Sequence, residues 1–244
     1  MEVHAVRKLF VILCLLAAAG CGPNNEYSAV AFGDSNTRGA NFPLRDYPEN
    51  EKWVNLLNLS QQGKVNVYNA GIGGETTEDG RKRFKQDVLD RNPKTVFIMF
   101  GTNDAVVLQN GKPRVSKARF KSNLLYFIDE IEKKGGQPVL ITCLPIIEGN
   151  GQDKLYYSRY ERIYYDAGRG ARNWHNSYND IVRSIASSED VRLIDHWENM
   201  VKEAGGSTDS DLMASGLIDP SGNHMTPKGA RILYESISES KILK

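Results

Sequence analysis

Four short segments of the sequence carry the residue types that acyl-transfer chemistry needs. Ser35 lies in the segment GDSNT, Gly74 in NAGIGGETT, Asn103 in GTND and His224 in SGNHMTP. Acyl transfer requires a nucleophile, hydrogen-bond donors for the developing oxyanion and a general base. Taken singly, each segment is more typical of a helix cap or a turn. Their joint occurrence predicts an active site with a serine nucleophile.

Apolar runs precede the first three segments, and the alternation of such runs with amphipathic stretches predicts the elements that position them. The predicted strands are residues 28–32, 64–68, 95–100, 138–143 and 191–194, and the predicted helices are 76–91, 116–134, 172–187 and 227–242. This βαβ alternation predicts an α/β fold: a three-layer α/β/α sandwich with a central parallel sheet of about five strands. Ligands of such sheets bind at the carboxyl ends of the strands, so we expect the first three segments to meet at that edge.

The four segments resemble, in order, the sequence blocks of the SGNH (GDSL-like) hydrolase superfamily, and they span the chain from Gly33 to about Gly229. The resemblance implies a flavodoxin-like fold and a serine esterase. It assigns Ser35 as the nucleophile and His224 as the general base. It also assigns the oxyanion hole to the backbone N–H groups of Ser35 and Gly74 and to the side chain of Asn103. A G-x-S-x-G motif, typical of the ordinary α/β-hydrolases, is absent from the sequence.

One position departs from the family pattern. Members usually carry Asp three residues before the histidine, whereas this sequence has Ser221 there. The nearest carboxylate, Asp219, directly precedes Pro220, which favours extended backbone at Asp219. We expect Asp219 to fold back onto Nδ1 of His224 as the orienting acid. The alternative is that Ser221, a backbone carbonyl or another side chain orients the ring, which leaves a Ser–His dyad.

Other reactive side chains near these segments fit structural roles. His175 and His196 are expected at the beginnings of helices, where a catalytic role is the weaker interpretation. Asp34 and Asp104 are expected to fix their turns by side-chain-to-backbone hydrogen bonds. Cys143, in an apolar strand, is expected to be a buried thiol. The sequence shows no cluster with metal-ligand spacing, so we expect neither a metal nor another cofactor.

Residues 149–170 form the least regular segment of the sequence and contain five tyrosines. The segment follows the fourth predicted strand, so one interpretation is a lid or a sugar-stacking surface over the site. The other is a helix that packs Tyr157, Tyr160 and Tyr164 against the domain.

Residues 1–20 resemble an export signal. Two basic residues precede the apolar run LFVILCLLAAAG, which is shorter than a membrane-spanning helix requires. The run ends in AAGC, which resembles a bacterial lipobox. We therefore expect removal of residues 1–20, lipid on Cys21, a tether over residues 21–27 and a single hydrolase domain over residues 28–244. This predicts an exported, membrane-anchored lipoprotein of the cell envelope; an ordinary signal, with Cys21 incidental, is the alternative.

The net charge of the predicted mature protein indicates which binding partners to expect. Removing residues 1–20 takes away Arg7, Lys8 and Glu2, which leaves 29 basic and 29 acidic residues. A domain without net positive charge does not attract the phosphate backbone as a whole, so we do not expect nucleic acid as a partner. The expected partners are a small-molecule or glycan ester and, through lipid on Cys21, the membrane.

The substrate follows less directly from the sequence. The GTND block and the tyrosines favour short acyl esters on carbohydrate or envelope material, with lysophospholipids or thioesters as further candidates. Two alternative functions are an acyltransferase, which passes the acyl group to a sugar hydroxyl, and a non-catalytic glycan-binding lipoprotein on the same fold.

Overall fold

The computed structural model describes residues 27–42 and 45–243 of the chain. Their strands are β1 (Ala29–Gly33), β2 (Ala40–Asn41), β3 (Arg45–Asp46), β4 (Val67–Gly71), β5 (Thr95–Met99), β6 (Gln137–Ile141) and β7 (Arg192–Ile194). Their helices are α1 (Ser35–Arg38), α2 (Trp53–Ser60), α3 (Thr77–Asp87), α4 (Lys117–Lys133), α5 (Ala171–Ser188), α6 (His196–Ala204), α7 (Asp209–Ser215) and α8 (Pro227–Glu239). The predicted export signal and Cys21 lie outside the described residues.

Five strands form one parallel sheet in the order β4-β1-β5-β6-β7, which confirms the predicted fold class. The short strands β2 and β3 pair separately and antiparallel. The chain leaves β1 for β4 on one side and then crosses to β5 on the other. The strand order therefore reverses at β1, and the carboxyl ends of β4, β1 and β5 enclose the crevice where ligands of such sheets bind.

Alternate residues of the strands face opposite helical layers, as the period of two requires. In β1, Ala29 and Ala31 pack in one buried cluster with Trp53 of α2 and with side chains of α6 and α8. Val30 and Phe32 face the other cluster, which contains side chains of α3, α4 and α5. Burial on both faces explains why the strands appear in the sequence as unbroken apolar runs.

Strand β4 begins three residues later than the sequence predicts. The side chain of Asn58 binds both backbone groups of Val67, with Nδ2 donating to the carbonyl at 3.1 Å and Oδ1 accepting from the N–H at 2.7 Å. The strand consequently continues through Gly71 and includes part of the glycine-rich segment. Helices α2 and α7 were not predicted. In α2 the sequence WVNLLNLS is apolar around most of its circumference, so helical periodicity is weak.

Residues 149–170 contain no α-helix, so the predicted helix is wrong. They form two 3₁₀ turns, Tyr156–Ser158 and Arg162–Gly168. Tyr156 and Tyr165 are fully buried, and their hydroxyls lie 2.9 Å apart. The Tyr156 hydroxyl also lies 2.8 Å from Nε2 of His175. These tyrosines therefore anchor the segment to the domain.

Within residues 27–42 and 45–243, no helix is both long enough and apolar enough to cross a membrane.

Candidate active site

Ser35 stands directly after β1 as the first residue of α1. The Asp34 side chain caps this turn, since its Oδ1 accepts from the Asn36 N–H at 2.9 Å. Gly33 is required by close packing, because a Cβ there would lie 2.4 Å from the Met99 carbonyl oxygen. Among the described residues, neither Oγ nor the backbone N–H of Ser35 has a hydrogen-bond partner. The nucleophile candidate therefore carries two groups that are free for a substrate.

The predicted oxyanion donors come from the turns after the neighbouring strands. Gly74 follows β4 with φ 81°, and its N–H donates to no other group in the described part of the chain. Asn103 follows β5, and its Nδ2 donates to the Glu75 carbonyl at 3.0 Å and to Asp34 Oδ2 at 3.3 Å. The Asn103 amide is thereby held between the Ser35 turn and the Gly74 turn.

His224 reaches the same edge from the loop between α7 and α8, and Asn36 holds that loop in place. Asn36 Oδ1 accepts from the Met225 N–H at 2.9 Å, and Asn36 Nδ2 donates to the Asn223 carbonyl at 3.3 Å. The residue after Ser35 thus binds the residues on both sides of His224. The sequence analysis did not single out Asn36, because its partners lie 187 and 189 residues away and no local pattern indicates them.

The orienting group of His224 differs from our expectation. Nδ1 lies 2.9 Å from the hydroxyl of Ser221, and that hydroxyl hydrogen-bonds Asp219 Oδ1. Among the ion pairs of the described residues, which have N···O distances of up to 4.0 Å, none joins Asp219 to His224. Ser221 therefore stands between the carboxylate and the ring.

Local backbone geometry explains this correction. Asp219 Oδ1 also accepts from the Ser221 N–H at 2.9 Å, which is the hydrogen bond of an Asx turn. Asp219 Oδ2 accepts from the Phe42 N–H at 2.9 Å. Both oxygens are thereby held on the Ser221 side of the loop.

Burial shifts the pKa values of the titratable groups in this site. The pKa of His224 is lowered to about 4, chiefly by burial, while the negative charge of Asp219 opposes and the positive charge of Arg159 adds to this effect. The imidazole is therefore neutral near pH 7 and able to accept a proton. Burial raises the pKa of Asp34 to about 7 and that of Asp104 to about 6.

The remaining predicted positions have structural partners. Asp104 Oδ1 accepts from both the N–H and the hydroxyl of Thr77, so the side chain fixes the beginning of α3 and not, as expected, its own turn. His196 begins α6, and its Nε2 lies 3.0 Å from the sulfur of Met225. Burial lowers the pKa of His196 and of His175 to about 3. Cys143 is a buried free thiol whose pKa burial raises to about 12.

A cavity of about 530 Å³ adjoins the His224 loop. It is lined by Phe42, Asp153, Lys154, Ser158, Arg159, Pro220 and Ser221. A second cavity of about 470 Å³ is lined by residues that include Ser28, Lys94 and Gln137, next to the amino ends of the strands. Of these two cavities, the first lies beside the predicted catalytic groups, since Ser221 in its lining contacts His224. In the described ranges, no group of three or more His, Cys, Asp or Glu side chains could hold a metal ion.

Comparison with known families identifies the family of the chain. The profile of the GDSL-like lipase/acylhydrolase family matches residues 30–237. The chain therefore belongs to this family, as its four sequence blocks predicted, and it is a carboxylic ester hydrolase.

Individual relatives extend the comparison. The chain is 57% identical over 241 residues to an uncharacterized lipoprotein, YqeF, of Bacillus subtilis (strain 168), covering 97% of this chain and 99% of that one. It is 28% identical over 159 residues to an arylesterase of Vibrio mimicus, covering 64% and 72% of the two chains. The crystal structure of a lipase/acylhydrolase from Enterococcus faecalis superimposes with a TM-score of 0.63 at 25% identity, covering 88% of this chain and 94% of that one.

Proposed function

We propose that the protein is a serine esterase in which Ser35 is the nucleophile and His224 the general base. The observation that carries the proposal is the Asn36 side chain, which binds the backbone on both sides of His224 and thereby joins the base to the residue after Ser35. The Asn103 amide adds a second link, between the Ser35 turn and the glycine-rich turn.

The proposed reaction has two acyl-transfer steps. Ser35 Oγ attacks the acyl carbon while Nε2 of His224 takes its proton. The backbone N–H groups of Ser35 and Gly74 and the Asn103 amide stabilise the oxyanion. His224 then returns the proton to the leaving alcohol as the bond to the acyl carbon breaks. Water, deprotonated by His224, then attacks the acyl carbon of the acyl-enzyme; the bond between that carbon and Ser35 Oγ breaks, His224 returns the proton to Oγ, and the acid is released.

In the free enzyme both Asn103 Nδ2 hydrogens have acceptors. The contact to Asp34 at 3.3 Å is longer than that to the Glu75 carbonyl at 3.0 Å. An oxyanion at the site would therefore replace Asp34, since the longer hydrogen bond is the weaker one.

Ser221 and Asp219 orient the base in this proposal. Nδ1–H donates to the Ser221 hydroxyl, and the hydroxyl donates to Asp219. This leaves Nε2 unprotonated and able to accept the proton of Ser35. The carboxylate stabilises the imidazolium through the hydroxyl, so Asp219 acts as a positioning residue that is linked to the ring by two hydrogen bonds in series.

The favoured substrates are short acyl esters on carbohydrate or envelope material, with lysophospholipids and thioesters as further candidates. The same steps with a sugar hydroxyl in place of water would give an acyltransferase. We also propose a lipid anchor on Cys21 at the cell envelope. The lipobox-like AAGC supports the anchor, as does the name of the Bacillus subtilis relative.

A p-nitrophenyl ester series of increasing acyl length tests the proposal. The enzyme is the chain without residues 1–20, compared with Ser35→Ala and with Ser238→Ala as a matched control, whose hydroxyl only binds the Tyr234 carbonyl in α8. We expect the wild type and Ser238→Ala to cleave short esters and Ser35→Ala to cleave none. Retained cleavage by Ser35→Ala would exclude it as the nucleophile, and an inactive wild type would favour the non-catalytic alternative.

A further inference from the structure

The cavity beside His224 is joined to the catalytic groups through two of its walls. Ser221, whose hydroxyl contacts Nδ1 of His224, forms one wall. Phe42 forms another, and its ring centroid lies 6.4 Å from that of His224. In acyl transfer the imidazole returns its proton to the leaving group, so the leaving alcohol departs on the imidazole side. Ser221 borders the Nδ1 edge of the ring, whereas Phe42 lies beside the imidazole ring itself, so it is along Phe42 that the cavity can receive the alcohol part of an ester; we call the cavity the alcohol subsite.

Two cationic side chains line the alcohol subsite without a carboxylate partner. Among the described residues, neither Lys154 nor Arg159 forms an ion pair with an N···O distance of up to 4.0 Å. The one acid in the lining, Asp153, accepts from the backbone N–H groups of Leu155 at 3.1 Å and Asn150 at 3.2 Å. Its carboxylate is thus engaged in its own turn, and the lining side chains carry one more positive than negative charge. The buried Asp219 carboxylate lies behind the lining, where the N–H groups of Phe42 and Ser221 and the Ser221 hydroxyl bind it.

The Arg159 guanidinium is held in place before any ligand binds. Its Nη2 donates to the Ser221 carbonyl at 2.7 Å and to Asn223 Oδ1 at 2.8 Å. Its central carbon lies 4.6 Å from the centroid of the Phe42 ring. No described residue accepts from Nε or Nη1. A fixed guanidinium with free N–H groups is suited to binding a carboxylate or a phosphate.

Apolar surface completes the subsite. The Phe42 side chain is 49% exposed although it is large and aromatic, and Pro220 beside it is also exposed. An exposed aromatic face in a ligand cavity binds rings by stacking. None of the five tyrosines of residues 149–170 is among the described residues that line the subsite.

We propose that the alcohol subsite selects esters whose alcohol part combines a ring with one anionic group, a carboxylate or a phosphate. The ring packs on Phe42 and Pro220, and the anion binds Lys154 and Arg159. This inference rests on the proposed esterase function and names the substrate class of the same site.

Three acetate esters of one shape test the selectivity. They are 4-acetoxybenzoate, 4-acetoxyphenyl phosphate and the neutral 4-acetoxybenzamide. For each ester, kcat/KM is first divided by its rate constant for alkaline hydrolysis, which corrects for differences in intrinsic reactivity. The quantity compared is the corrected value for each anionic ester divided by the corrected value for the neutral benzamide ester. Lys154→Glu reverses one charge in the subsite, whereas Lys121→Glu makes the same change on the exposed surface of α4.

We expect a wild-type ratio well above one. Lys154→Glu should lower this ratio about tenfold, because one exposed charge pair contributes only modestly to the binding free energy and the substitution replaces attraction by repulsion. Lys121→Glu should retain the wild-type ratio, and added salt should lower it by screening. The larger of the two anionic ratios identifies carboxylate or phosphate as the preferred group. A wild-type ratio near one, or a ratio unchanged in Lys154→Glu, would overturn the subsite while leaving the esterase proposal intact. Failure to cleave any of the three esters would instead count against the esterase itself.

Discussion

Replacing Ser221 by alanine removes the hydroxyl that lies between His224 Nδ1 and the Asp219 carboxylate. The cavity left by one oxygen atom is small, but Nδ1 then loses the one hydrogen-bond partner that it has among the described residues, and the hydrogen-bonded link to the Asp219 carboxylate is broken. A hydrogen bond to a charged group contributes about 1.5–3 kcal/mol. Since about 1.4 kcal/mol corresponds to a tenfold change in rate, Ser221→Ala should lower kcat by about 10- to 10²-fold. KM should change less, because the hydroxyl stabilises the imidazolium that forms in the transition state.

The exchange variant Asp219→Ser/Ser221→Asp provides the matched control. It restores the family's spacing of acid and histidine without changing the net charge, and it should recover activity relative to Ser221→Ala. The assay is kcat and KM for a short p-nitrophenyl ester, with circular dichroism to verify folding. If Ser221→Ala and Asp219→Asn both retain wild-type kcat, the relay has no role and the enzyme works as a Ser–His dyad.

Four further predictions concern other parts of the site. Asn103→Ala should lower kcat by about 10²–10³-fold with a smaller effect on KM, as expected for one lost oxyanion donor; an unchanged kcat would remove Asn103 from the site. Asn36→Ala should lower kcat strongly. The control Asn58→Ala also loses two side-chain hydrogen bonds to the backbone, so it should lower the thermal stability by a similar amount but leave kcat unchanged. Equal kcat values in the two variants would show that Asn36 has only a structural role. Because burial lowers the pKa of His224 to about 4, kcat/KM should rise with pH through the region near pH 4 and not near pH 6.5; an acid limb at 6.5 would contradict a buried base. Cys21→Ser should move the full-length protein from the membrane to the soluble fraction, and a wild type that is already soluble after fractionation would refute the lipid anchor.

The parts of the fold that could be predicted are those in which burial determines the residue type. Strands covered on both faces appear as apolar runs, so β1, β5 and β6 are evident in the sequence. Strand β4 was misplaced because the Asn58 side chain, not apolar character, determines where it begins. The fold of residues 149–170 does not follow from local patterns, since the Tyr156 hydroxyl contacts Nε2 of His175 and the Tyr165 hydroxyl accepts from the Val107 N–H, both outside the segment.

Within the candidate site, the predictable residues are those at the ends of neighbouring parallel strands. Topology alone brings the turns of Ser35, Gly74 and Asn103 together, whereas the role of His224 came from family resemblance. The sequence analysis offered Asp219 or Ser221 as the orienting group and did not foresee that both act in series, because a two-residue shift of the acid does not fix which atom reaches the ring. Asn36 and the alcohol subsite depend on contacts between distant segments, which no local spacing reveals.

The Asn36 contacts also determine when the enzyme acquires activity. They close a loop of 187 to 189 residues between the first strand's turn and the last loop before α8. Contacts between such distant residues form late in folding, since closing the loop costs entropy before the contact compensates. A chain that has emerged only in part therefore has a serine without its base. Esterase activity would therefore arise only once the loop before α8 has reached Asn36, so a partly synthesised chain should be inactive.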